Sequence, residues 1–90
     1  MSIVAIITKV MPDSLHRDLA KIRKEAEKIL NKNGAKNISF NEEPVAFGLK
    51  AVMIKFAWPE EKSTEIIEDS LGKIEGVSSA TVVDYRRAFG

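Results

Sequence analysis

The 90-residue chain has no cysteine and a single histidine. The first absence excludes a disulfide frame, a thiolate metal site and a cysteine nucleophile, and it agrees with a reducing interior. The second leaves His16 without partners for a metal site, so it reads as surface or capping decoration. No glycine-rich phosphate loop precedes a helix, which argues against nucleotide binding by the chain itself. Serines occur with no base at a recognisable spacing, and the neighbouring pairs Glu42-Glu43 and Glu60-Glu61 read as solvated strand or turn ends. Adjacent strand residues point to opposite faces, so such pairs do not share a proton. No cofactor, metal or tightly bound small molecule is expected. No apolar run approaches the ~20 residues of a membrane span, and Met1 to Val10 lacks a basic leader and cleavage site. The expectation is a soluble, cytoplasmic chain. Formal net charge is +1, which argues against a domain devoted to wrapping nucleic acid.

What is present is enough for one core. Hydrophobic residues make up 44% of the chain, and its length suits a single domain, since one core commonly serves about 50 to 200 residues. Ile3 to Val10 is apolar and β-branched, and reads as a central strand stopped by Met11-Pro12. Asp13 or Ser14 then caps a helix whose apolar stripe is Leu15, Leu19, Ile22, Ala26, Ile29 and Leu30. Gly34 closes it in a left-handed conformation. Lys36 to Glu43 alternates weakly and is polar enough for an edge strand. Val52, Ile54, Phe56 and Trp58 form the core-facing set of a long third strand. Ser63 or Thr64 caps a second helix with Ile66, Ile67, Ser70, Leu71 and Ile74 inward, broken at Gly76. Ala80 and Val82 alternate with Thr81, Val83 and Tyr85 in a last strand.

The order strand, helix, strand, strand, helix, strand predicts an α+β fold, the ferredoxin-like βαββαβ sandwich. In it a four-stranded antiparallel sheet carries both helices on one face, with strands one and three central. The open face is expected to hold Ala5, Ile7, Lys9, Met53, Lys55, Thr81, Val83 and Tyr85. The first helix is basic, with Arg17, Lys21, Arg23, Lys24, Lys28 and Lys32, and the second is acidic. Two solvated faces of opposite sign explain this most simply. RNA-binding domains share the fold, but their aromatic signature on the central strands is missing, so no direct nucleic-acid contact is expected.

Packing explains Asn41 to Ile54 least well. Val45, Ala46 and Phe47 are apolar where a connection should be polar, between Pro44 and Gly48. Proline fixes φ and glycine permits φ > 0, so the bend should be stiff. Phe47 is then either tucked onto its own core or held out for a partner. Composition alone favours tucking, because most apolar loop residues are buried.

Four stretches together resemble the archaeal elongation factor 1-beta family, nucleotide exchange factors for elongation factor 1-alpha. They are Lys9-Val10-Met11-Pro12, Glu42 to Ala51, Ile74-Glu75-Gly76-Val77 and Val83-Asp84-Tyr85-Arg86-Arg87. The resemblance implies a binding protein with no bond-making chemistry, whose GTPase partner, elongation factor 1-alpha, carries the nucleotide. Phe47 falls on the aromatic position of a Pro-x-x-aromatic-Gly-x-Lys motif. It would be held outward as a wedge, with Pro44 and Gly48 stiffening the bend and Lys50 at the rim. In eukaryotic relatives a lysine near the C-terminus enters the Mg²⁺ region, and Arg87, beside Arg86 and Tyr85, stands at the corresponding place. The picture is one ring with a basic tail nearby. A small-molecule sensing domain of the same fold is the alternative reading. Acylphosphatase-like hydrolysis would need an arginine after the first strand, where Met11-Pro12-Asp13 offers none.

Overall fold

The computed structural model describes residues 2–87. In chain order these form β1 (Ile3–Pro12), α1 (Leu19–Lys32), β2 (Lys36–Pro44), β3 (Lys50–Pro59), α2 (Glu65–Gly72) and β4 (Val77–Arg87), with a short 3₁₀ turn, Ala46–Gly48, between β2 and β3. The sheet order is β2-β3-β1-β4 and every pairing is antiparallel. The ferredoxin-like α+β architecture, with the two apolar strands central, is therefore the observed one.

Period-two alternation in the central strands decides what is buried. Val4, Ile6, Thr8 and Val10 of β1 and Val52, Ile54, Phe56 and Trp58 of β3 are all buried. They share one core with Ile22, Ala26 and Leu30 of α1 and Ile67 and Leu71 of α2. Burying each large apolar side chain is worth about 1.5–3 kcal/mol, so this one face supplies most of the driving force. Phe56 and Trp58 meet edge to face, centroids 6.0 Å apart. The Trp58 indole N–H donates to the Lys62 carbonyl at 3.1 Å, and Lys62 Nζ donates to the Asn33 carbonyl at 2.6 Å. That bridge ties the end of α1 to the turn before α2.

Three expectations need correction. The first helix begins at Leu19, not beside Leu15, because Asp18 is the N-cap and its carboxylate accepts from the amides of Ala20 (3.0 Å) and Lys21 (3.4 Å). A carboxylate at the positive end of the helix is favoured over the earlier Ser14 hydroxyl, which accepts instead from the His16 amide at 3.2 Å. Leu15 is consequently outside the stripe and 58% exposed. The second helix ends at Gly72 rather than Gly76, which turns the chain into β4 at φ 93°. Finally, Tyr85 is not on the open face. Thr8 pairs with Val82 but Ile7 pairs with Asp84, so Val83 is an extra residue in β4 and the alternation reverses beyond it. Tyr85 lies opposite Ile6 and shares the helix side, and Asp84 and Arg86 take the open face.

Thr8 is fully buried and its hydroxyl has no hydrogen-bond partner among the described residues. An unpaired buried hydroxyl costs about 1–3 kcal/mol. Thr8→Val keeps the shape and should leave urea stability unchanged or raise it by up to ~2 kcal/mol, whereas Leu71→Ala should lower it by about 2–5 kcal/mol.

Candidate partner-binding surface

The β2–β3 connection is a tight bend closed by backbone bonds. The Val45 amide donates to the Leu49 carbonyl at 2.8 Å, and the Leu49 amide returns to the Ala46 carbonyl at 3.3 Å. Between them the chain must reverse in three residues, and it does so with two successive left-handed conformations, Phe47 at φ 62° and Gly48 at φ 77°. For glycine this is ordinary. For phenylalanine it is strained by roughly 1–2 kcal/mol, since Cβ crowds the following carbonyl oxygen. The strained residue is also the most exposed large hydrophobic among the described residues: Phe47 is 91% accessible. The bend therefore holds the ring outward, the arrangement implied by the family resemblance and opposed by composition alone.

Leu15 extends the apolar tip. A Cβ at Gly48 would lie 3.4 Å from Leu15 Cδ2, so the β1–α1 loop rests directly against the bend. Beneath them is a shallow cavity of about 220 Å³ lined by Pro12, Leu15, Leu19, Gly48, Leu49 and Lys50. Sequence periodicity missed Leu15 by absorbing it into the helix stripe. The signal that could have found it is Asp18, a better cap than Ser14, which leaves Leu15 one turn outside the helix.

The same loop is braced from its other side. Asp13 donates its amide to the Gly76 carbonyl at 2.8 Å, and its carboxylate accepts two bonds from Arg17, at 2.7 and 3.1 Å. The Arg17 stem covers Gly76 so closely that an added Cβ would sit 2.9 Å from Arg17 Cδ. The Arg17 hydrogen bond holds the Asp13 carboxyl below its ordinary range and raises the guanidinium. A depressed carboxyl keeps this brace charged at neutral pH and releases it only as pH falls through the lowered value.

The other candidates lie elsewhere. β4 runs from Val77 beside Pro12 down to Arg87 beside Val4, so Tyr85, Arg86 and Arg87 end at the opposite edge of the sheet from Pro44, Phe47, Gly48 and Lys50. Val4 pairs with Trp58, and β3 between Lys50 and Trp58, at about 3.3 Å per residue, separates the two groups by roughly 26 Å. The expected basic tail near the ring is thus corrected: an antiparallel sheet sends the end of β4 away from the β2–β3 bend. Arg87 pairs with Glu60 at 2.9 Å on the helix side, and Arg86 with Asp84 at 3.1 Å on the open face. Both arginine side chains are 79% exposed, so these pairs are weak and the cations remain accessible. The helix charges do not form a unipolar surface. The groove between α1 and α2 mixes Arg17, Lys21 and Lys73 with Asp18, Glu25 and Glu75.

A sequence model of the EF-1 guanine nucleotide exchange domain matches residues 5–88. The chain belongs to this family. Among the relatives of this EF-1 exchange domain are proteins named elongation factor 1-beta. That of Methanothermobacter thermautotrophicus is 40% identical over 97% of this chain and 98% of its own length. That of Methanocella arvoryzae is 39% identical over 99% and 100%, and that of Metallosphaera sedula is 38% identical over 97% of each. Matches of this extent disfavour the alternative of a sensing domain. No helix among the described residues is long and apolar enough to cross a membrane.

The strain at the tip of the EF-1 exchange domain has a measurable consequence. Phe47→Gly should leave the thermal midpoint unchanged or raise it, because relief of the left-handed strain offsets the greater chain entropy of glycine. Gly48→Ala should lower stability by about 1–2 kcal/mol in a denaturant titration, since alanine at φ 77° is strained while its Cβ only touches Leu15 at ordinary contact distance.

Proposed function

We propose that this chain promotes exchange of GDP for GTP on elongation factor 1-alpha, making and breaking no bond itself. The carrying observation is the Phe47 ring, 91% exposed on a closed, strained bend, in a chain of the EF-1 exchange family. An exchange factor must bind the nucleotide-free GTPase more tightly than the loaded one, because only differential affinity shifts an equilibrium. A thousandfold weakening of nucleotide needs about 4 kcal/mol of such difference. One aromatic ring that buries ~150–200 Å² of apolar surface supplies about 4–5 kcal/mol at ~25 cal/mol per Å². The magnitude suffices if the ring's pocket opens only when nucleotide is displaced. Because the bend already holds the ring outward, little is lost in ordering it on binding.

Pro44 and Gly48 stiffen the bend in this reading, Leu15 and Lys50 rim the contact, and nucleotide and Mg²⁺ belong to the partner. Tyr85, Arg86 and Arg87 make a second contact from the opposite edge. There a guanidinium meets carboxylates that a displaced Mg²⁺ leaves uncompensated. Ring and cations, roughly 26 Å apart by strand spacing, act on two regions of the partner and not on one ion.

The test is release of labelled GDP from elongation factor 1-alpha. The chain should accelerate release. Phe47→Ala should cut that acceleration at least tenfold with the fold intact. Arg86→Ala with Arg87→Ala should also weaken it, by an amount that shrinks as salt rises, since exposed charges are screened. Unchanged release with the native chain overturns the proposal.

A further inference from the structure

Beyond the bend and the arginines, one contact in the fold governs where the arginines go. At the register break in β4, the Val82 amide donates to Glu68 Oε2 of α2 at 2.8 Å. Val82 keeps its place opposite Thr8 and the extra residue, Val83, follows it, so Glu68 offers a carboxylate, a strong acceptor, to the amide next to the point where the ladder is disrupted. Glu68 is half-buried, and among the described residues no cation makes an ion pair with it.

The consequence follows from strand parity. With Val83 bulged, Asp84 and Arg86 face the open side together and form their pair at 3.1 Å, while Arg87 faces the helix side and reaches Glu60 at 2.9 Å. A regular β4 would reverse every one of these. Arg87 would turn to the open face, away from Glu60, and Tyr85 would leave the position opposite Ile6. One bond from α2 stands at the point that separates these two arrangements.

We propose that Glu68 is a positioning residue for the exchange surface: by accepting the Val82 amide it holds the β4 bulge and so aims Tyr85, Arg86 and Arg87. The proposal rests on the exchange reading for its functional half and on strand geometry alone for the rest. Glutamine keeps an acceptor oxygen at the same reach, so Glu68→Gln separates the hydrogen bond from the charge.

The structural arm is hydrogen exchange of the Val82 amide together with cross-strand NMR contacts of Ile7 with Asp84. In Glu68→Ala, Val82 protection should fall at least tenfold and the Ile7–Asp84 contact should weaken, with Glu68→Gln close to the native chain. The functional arm is GDP release from elongation factor 1-alpha. Glu68→Ala should slow it several-fold, Glu68→Gln should restore it to within about twofold, and the Glu68→Ala effect should vanish when Arg86 and Arg87 are already alanine. Residues acting through one another give such non-additive cycles, and a general loss of stability does not. Unchanged Val82 protection in Glu68→Ala, or a loss of exchange that is the same with and without the arginines, overturns the proposal. A native chain that leaves release unchanged overturns the exchange reading instead, and the Val82 and Ile7–Asp84 measurements still decide whether Glu68 holds the bulge.

Discussion

The alternation of β1 against β3 is the constraint on which the rest of the molecule depends. Val4, Ile6 and Val10 and, opposite them, Val52, Ile54, Phe56 and Trp58 present one continuous apolar face. Only the two helices are available to cover it. A slip of one residue in that pairing would exchange this face for Ala5, Ile7, Lys9, Met53 and Lys55, so burial of charge forbids the slip. With the central pair fixed, β2 and β4 can add only at the edges, and each loop falls at a predetermined end of the sheet.

The ends are specialised by different devices. At the Pro12 end the β1–α1 loop is wedged between two glycines. Leu15 lies against Gly48, and Arg17, tied to Asp13, covers Gly76. Both glycines take positive φ values that other residues adopt only under strain, and at Gly76 an added Cβ would also press on the Arg17 stem. This support lets the bend carry an exposed, strained phenylalanine. A flexible bend would relax the strain by turning the ring inward or by releasing φ. At the other end the Lys62 bridge to the Asn33 carbonyl ties α1 to the turn before α2 without bearing on the arginines themselves. The arginines are held by exposed ion pairs and by the parity of β4.

In the proposed reading, dividing the recognition surface between two ends of a small sheet has a physical advantage for an exchange factor. Burying a cation carries a desolvation cost that an apolar contact does not. Set roughly 26 Å apart by strand spacing, each can be optimised against a different part of a larger partner. Such an arrangement demands a rigid spacer, and a packed antiparallel sheet is one.

Periodicity in the sequence determined the element order, the central strands and the core list, because burial of a face with period two or 3.6 leaves its mark on every second or third residue. The resemblance in Glu42 to Ala51 indicated the outward ring, which composition opposed. The place of Leu15 was decided by competition between Ser14 and Asp18 for the cap, a difference in acceptor strength that spacing does not record. The facing of Tyr85 and Arg87 was decided at Val83, where one unpaired residue reverses parity and a carboxylate from α2 accepts the amide beside it. Neither the bulge nor the distance from ring to arginines is written in local pattern. Both arise only when strands distant in sequence are laid side by side and their registers have to agree.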